Sequence, residues 1–135
     1  MITSPKINNT DFTFKEVSLG KLYYDDKYMI AIFNEGVDLN FKNFSEVTNI
    51  IKSQFGDRPF GFISNRINSY SINLSDAKKF NKVFPNVKAY AVVAHNSLTE
   101  KVFEIEERFF TFNRKSFRDL DAAIDWVERT LSEIE

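Results

Sequence analysis

The sequence predicts an α/β fold: a mixed, mostly parallel five-stranded sheet with four helices, in the order β-β-α-β-α-β-α-β-α. Two continuous apolar runs, Tyr28–Phe33 and Val87–Ala94, are typical of strands covered on both faces. Segments with helical spacing alternate with such runs, which favours parallel pairing through right-handed crossovers. The 135 residues fit one domain, assigned to residues 11–135, and residues 1–10 are predicted to be a flexible lead-in.

Strands are predicted where apolar residues alternate with polar ones or follow one another without interruption. Phe12, Phe14 and Val17 alternate with polar residues, which predicts an antiparallel edge strand with one buried face. Gly20-Lys21 is then expected to turn the chain, and Val37–Phe41 to continue the second strand. The strands after the first are predicted over Tyr28–Phe33, over Phe60–Ile63, over Val87–Ala94 and around Phe112.

Four helices are predicted where helical spacing of apolar residues follows a capping side chain. The capping residues are Asn43, Asn73, Ser97 and Asp119. In the third helix, the residues expected to face the core are Leu98, Val102, Ile105 and Phe109, and those expected in solvent are Glu100, Glu104, Glu106 and Glu107. In the last helix, the inward residues are expected to be Leu120, Ala123, Ile124, Val127, Leu131 and Ile134.

Composition argues against most of the functional classes that a sequence can reveal. With 18 basic and 19 acidic side chains, the formal net charge of −1 gives no electrostatic footprint for nucleic acid or an anionic membrane. The absence of cysteine excludes thiolate metal sites, and a single histidine excludes a multi-histidine site within one chain. The four glycines form no nucleotide-binding motif. We predict no cofactor, no metal and no catalytic residue, and the lack of a signal peptide or bilayer-spanning run favours a cytoplasmic protein.

A dense polar segment, residues 64–73, follows the predicted strand Phe60–Ile63. In an open α/β sheet, ligands and partners usually bind where parallel strands end. The candidate binding residues in this segment are Ser64, Asn65, Arg66, Asn68, Ser69, Tyr70 and Ser71. His95 and Asn96 end the neighbouring predicted strand and are expected to share the same edge of the sheet.

Two of these residues allow alternative interpretations. Arg66 could bind a carboxylate or phosphate bidentately, or it could pair with a nearby acid while the Asn and Ser side chains hold the loop backbone. His95 could carry protons in a hydrolase or transferase, or it could be a hydrogen-bonded structural histidine.

The order of elements resembles the STAS domain, named for sulfate transporters and anti-sigma-factor antagonists, and especially its antagonist-like STAS/SEC14 branch of small bacterial proteins. The resemblance spans residues 12–134. It depends on the strand Tyr28–Phe33 leading into Asn43-Phe-Ser-Glu46, on the polar segment, on the strand Val87–Ala94, and on Phe117 followed by Asp121-Ala-Ala-Ile-Asp-Trp-Val127.

The resemblance also implies a regulatory role. In STAS antagonists, a partner kinase phosphorylates a serine in the loop before the second helix, and this controls binding to an anti-sigma factor. The matching serines here are Ser69 and Ser71, although the usual Asp-Ser-Ser/Thr-Gly motif of the family is absent.

These observations favour a non-enzymatic module that binds another protein through residues 64–73. The alternative is a carrier of a small apolar molecule or lipid, with a cavity of several hundred Å3 lined by Phe62, Phe80, Phe84 and Phe103, on the order of known ligand sites. A homodimer is possible through the edge strand Phe12–Val17 or through Tyr23-Tyr24.

Basic residues near the last strand are the only pattern that suggests nucleic acid. Arg114, Lys115 and Arg118 alternate with Phe112 and Phe117, as in a stacking platform. Since Asp119 and Asp121 offset this charge, we expect a solvated hairpin and no nucleic-acid partner.

Overall fold

The computed structural model describes residues 12–134, so the predicted lead-in 1–10 lies outside the described residues. The strands are β1 (Thr13–Val17), β2 (Gly20–Tyr24), β3 (Tyr28–Phe33), β4 (Asp38–Leu39), β5 (Phe60–Arg66), β6 (Ser71–Ile72), β7 (Val87–Ala94) and β8 (Arg114–Phe117). The helices are α1 (Ser45–Phe55), α2 (Ala77–Val83), α3 (Ser97–Glu106) and α4 (Leu120–Ser132), and a 3-10 turn over Leu74–Asp76 precedes α2.

Six strands form the main sheet, in the order β1-β2-β3-β5-β7-β8. β1 and β2 are antiparallel to their neighbours, while β3, β5, β7 and β8 are parallel to one another. The mixed, mostly parallel α/β sheet with an antiparallel edge is therefore confirmed. The last strand begins at Arg114, two residues after the position predicted for its centre.

The sheet has one strand more than predicted because Gly20 begins β2 instead of turning the chain. A Cβ at Gly20 would lie 2.2 Å from the carbonyl oxygen of Ile32, and its φ is 154°. Glycine is needed here because the two paired strands, β2 and β3, approach each other closely. The sequence alone does not distinguish such a glycine from one that supplies a turn.

A second, two-stranded sheet joins two loops that leave the main sheet. Asp38–Leu39 pairs in parallel with Ser71–Ile72, so the expected continuation of β3 over Val37–Phe41 is wrong. The predicted cap Asn43 is also wrong: α1 begins at Ser45, and Asn43 exchanges backbone-to-side-chain hydrogen bonds of 2.7 and 2.9 Å with Asn40.

The remaining caps lie within one residue of their predicted positions. Asn73 caps the 3-10 turn by accepting from Ser75 N. Asn96, instead of Ser97, accepts from Thr99 N at the start of α3, and Asp119 caps α4 as predicted.

Helices cover both faces of the sheet. α4 packs on the face formed by Ile30, Ile63 and Ala91, whereas α1 and α2 pack on the opposite face, where Phe60 and Phe62 lie. Within residues 12–134, no helix is long and apolar enough to cross a membrane.

α3 packs with a different face from the one predicted. Its buried residues are Phe103 and Glu106, while Leu98, Ile105 and Phe109 are 72%, 56% and 45% exposed. In α4, Ala123, Ile124 and Val127 are buried as predicted, but Ile134 is 44% exposed because it lies beyond the end of the helix.

Candidate functional site

The polar residues after Phe60–Ile63 do not start a loop. β5 continues to Arg66, so Ser64, Asn65 and Arg66 are buried strand residues and cannot form an exposed binding edge. Since Phe62 faces α1 and α2, alternation along the strand directs Ser64 and Arg66 to that same face, and Asn65 to the α4 face.

Arg66 belongs to a buried polar cluster formed by Arg66, Tyr70, Tyr90, Glu106 and Arg114, which we call the buried cluster. Arg66 Nη2 donates to Glu106 Oε1 at 2.8 Å, and Arg66 Nε donates to Tyr70 Oη at 2.9 Å. Tyr70 Oη also bonds to Ser64 Oγ. Arg66 therefore pairs with a nearby acid, as the second of its two interpretations has it. The prediction that Glu106 faces solvent is wrong.

The ionisation of Arg66 follows from these contacts. Burial by itself lowers its pKa, but the neighbouring Tyr70 oxygen and the Glu106 carboxylate outweigh burial and raise the pKa above its ordinary value. Burial is the main cause that raises the pKa of Tyr90, so this phenol stays neutral.

Arg114 is the second buried cation of the cluster, and its expected place in a solvated hairpin is wrong. Its side chain is 2% exposed, and its Nη2 lies 3.5 Å from Glu106 Oε1. Its guanidinium carbon lies 4.2, 5.2 and 5.4 Å from the ring centres of Phe103, Tyr90 and Phe110. Among residues 12–134, Arg114 Nε and Nη2 find no hydrogen-bond acceptor. Two guanidinium groups thus share one carboxylate.

His95 lies at the same edge of the sheet as Arg66 but on the other face. β5 and β7 are parallel, with Arg66 opposite Ala94, as the predicted topology requires. His95 is exposed, and its Nε2 lies 2.8 Å from Asn65 Oδ1. The two residues therefore do not converge on one site. The recorded partner of the His95 ring is the side-chain amide of Asn65 and not a nucleophilic hydroxyl, and the hydrolase or transferase alternative stays a prediction.

The other predicted binding residues mainly hold the backbone in place. Asn68 Nδ2 donates to Phe33 O at 2.9 Å, and the backbone N–H of Ser69 donates to Glu35 Oε1 at 2.8 Å. Asn96 caps α3.

Ser69 and Ser71, the predicted phosphorylation sites, are exposed, but both lie beside acidic side chains. Ser71 Oγ donates to Asp38 Oδ1 at 2.7 Å, and Glu35 accepts from the backbone of Ser69. A phosphate on Ser71 would meet the carboxylate of Asp38 and disrupt the pairing of β4 with β6.

Sequence reasoning missed the most exposed apolar surface. Leu98, Ile105 and Phe109 lie at i, i+7 and i+11, on one face of α3 and its continuation, and Ile67, 48% exposed, lies where β5 ends. We call the stripe of Leu98, Ile105 and Phe109 the α3 surface. The helical spacing of Leu98, Ile105 and Phe109 is visible in the sequence, but such an apolar stripe predicts a side of the helix that faces the core.

An apolar cavity of about 60 Å3 lies between the sheet and the helices α1 and α2. Its lining includes Phe62, Phe80, Phe84, Tyr90, Phe110 and Phe112. Phe103, expected among the lining residues, instead packs on Arg114. The cavity is far smaller than the several hundred Å3 typical of ligand sites, so it gives no support to a lipid carrier.

The fold has a counterpart among solved structures. The chain is similar to an uncharacterized protein of the DUF3478 family from Shewanella loihica PV-4, whose 2.25 Å crystal structure is described as having a SpoIIAA-like fold. The similarity covers 86% of this chain and 91% of that chain, with a TM-score of 0.52 and 16% sequence identity. No protein-family model matches the sequence, and no curated protein matches it. At this identity the likeness concerns the fold alone, and the resemblance to the anti-sigma-factor-antagonist fold is confirmed at that level.

Proposed function

We propose that this chain is a non-enzymatic protein-binding module that captures a partner through the α3 surface. The proposal keeps the predicted function but moves its site, since Ser64, Asn65 and Arg66 lie inside the molecule. Two exposed polar residues, Ser69 after β5 and His95 after β7, follow the edge of the sheet at which α3 begins.

The observation that carries the proposal is the clustering of exposed apolar residues. Among residues 12–134, six large apolar side chains are strongly exposed, and three of them form the α3 surface along one side of a single helix. Isolated exposed apolar residues are ordinary, but a grouped set marks an interaction surface.

The arrangement favours a partner that presents an amphipathic helix. Leu98 and Ile105 are two helical turns apart, which matches the anchor spacing of helix-to-helix docking. Lys101 and Arg108 are exposed and flank the stripe on its solvent side, so acidic residues beside the apolar face of the partner helix would complement them.

Site-specific photocrosslinking tests the proposal. A photoreactive phenylalanine analogue placed at Ile105 should capture one predominant protein in cells that naturally make this chain. The same analogue at Ile134, which is similarly exposed but distant from α3 in sequence, should not capture that protein. Leu98→Asp introduced with the Ile105 crosslinker should abolish the product, because it places a charge at the contact. Identical products from positions 105 and 134, or a product that survives Leu98→Asp, would contradict the assignment.

A further inference from the structure

We infer that the buried cluster is the anion-binding end of a site for a small aliphatic monocarboxylate, with the neighbouring apolar cavity receiving its hydrocarbon chain. This inference is independent of partner capture at the α3 surface, because it depends on interior residues.

The first argument is charge balance. Arg66 and Arg114 share the single carboxylate of Glu106, and all three side chains are at most 4% exposed. A buried cation without a counter-charge is strongly destabilising, even after its surroundings relax. One further negative charge would neutralise the cluster, which favours a monoanion over a dianion.

The second argument is the direction of the unpaired donors. Nε and Nη2 form one edge of the planar guanidinium, and this edge is the fork that binds a carboxylate bidentately. The rings of Phe103, Tyr90 and Phe110 attract the positive charge. They cannot accept its in-plane hydrogen bonds as a carboxylate would. Glu106 Oε1 accepts from Arg66 at 2.8 Å and lies 3.5 Å from Arg114 Nη2, so among residues 12–134 the fork of Arg114 has an ion-pair neighbour but no hydrogen-bonded acceptor.

The third argument is the adjacent cavity. Tyr90 and Phe110 both contact the Arg114 guanidinium and both line the apolar cavity, so the fork and the cavity adjoin the same two rings. The volume of about 60 Å3 is well below the ~150 Å3 of a cavity known to hold benzene. A short aliphatic chain therefore fits the cavity better than an aromatic ring does.

Entry requires α3 to lift from the sheet. Its movement would expose Phe103 and separate Glu106 from Arg66, so we expect the ligand to enter slowly, during local opening of this helix.

The test uses the full chain, with sodium butyrate as the probe, and sodium chloride, phosphate and benzoate as comparisons at constant ionic strength. Butyrate should raise the melting temperature more than the other salts, and titration calorimetry should show saturable binding. Arg114→Met should weaken this binding at least about tenfold, the loss expected for a charged hydrogen-bonded contact. Arg118→Met, which removes an exposed arginine four residues away, should not change it.

Equal stabilisation by chloride or phosphate, or undiminished butyrate binding to Arg114→Met, would overturn the inference. If Arg114→Met does not fold, a second pair of variants decides the question. Phe112→Ala widens the cavity and should shift preference from butyrate to hexanoate, whereas Phe14→Ala removes an exposed ring that does not line the cavity and should not. An unchanged preference in Phe112→Ala would count against the site.

Discussion

α3 and α4 cover opposite faces of the same sheet, and the sequence gives both an apolar stripe, yet they use it in opposite ways. α4 buries Ile124 and Val127 against an apolar sheet face, while α3 buries Phe103 and Glu106 and exposes its stripe. The two helices differ in the sheet residues that they cover. The sheet below α4 presents Ile30, Ile63 and Ala91, but below α3 it presents two arginines, which a carboxylate satisfies and a leucine cannot.

The largest effect should come from removing the carboxylate that fixes the orientation of α3. Glu106→Leu leaves Arg66 and Arg114 buried without a counter-charge, and should destabilise the protein by about 3–5 kcal/mol in urea unfolding. Glu104→Leu, an exposed position on the same helix, should change stability by less than about 0.5 kcal/mol. Equal effects would mean that Glu106 does not determine which face of α3 is buried.

Truncation of one isoleucine in each helix compares the two stripes directly. Ile124→Ala creates a cavity under α4 and should cost about 2–5 kcal/mol in the free energy of unfolding. Ile105→Ala removes a side chain that is 56% exposed, and its cost should stay below about 0.5 kcal/mol. A large loss of stability from Ile105→Ala would show that the stripe of α3 packs inside the monomer in solution.

The contrast also explains how much of the fold could be predicted from the sequence. Continuous apolar runs revealed β3 and β7, and side-chain caps located α3 and α4 within one residue. The pairing of Glu106 with Arg66, 40 residues away, has no local signal.

The candidate site was predicted less well than the fold, for the same reason. The polar run Ser64-Asn65-Arg66 is typical of a loop when only neighbouring residues are considered. In the structure these residues lie in a buried strand, and Asn65 and Arg66 form hydrogen bonds with residues distant in the sequence. Whether Arg66 and His95 share a face depends on the register of two strands, and no single segment specifies that register.

The caps provide a subtler comparison of the two helices. Asn96→Ala and Asp119→Ala each remove a side-chain acceptor from a helix N-terminus, a loss of about 0.5–2 kcal/mol for the helix concerned. Because α3 buries little, Asn96→Ala should mainly speed local amide hydrogen exchange in α3, whereas Asp119→Ala should lower global stability. Equal losses of global stability in both variants would show that α3 and α4 unfold as one unit.

The smallest effect concerns the exposed ion pair between α3 and the segment before α4. Arg118 donates to both carboxylate oxygens of Glu100 at 2.7 Å, and these hydrogen bonds lower the pKa of Glu100 below 4.5. A lowered pKa stabilises the folded state at pH values above 4.5, and the contribution disappears as the pH falls through the folded value. The stability difference between wild type and Glu100→Gln should therefore be barely detectable at neutral pH and vanish on acidification. A difference that grew on acidification would refute the pairing.

The small sheet of β4 and β6 has a consequence for the kinetics of recognition. The backbone N–H groups of Ser71 and Asn73 donate to the carbonyl oxygens of Val37 and Leu39, respectively. The N–H of Gly36 donates to the carbonyl oxygen of Ser69, so backbone hydrogen bonds hold the two loops together in the free protein. If the proposed partner also contacts this small sheet, binding does not have to order the two loops, and association avoids that loss of conformational entropy. Mutations that disrupt these backbone hydrogen bonds should then slow association with the partner, whereas mutations in the α3 surface should shorten the lifetime of the complex.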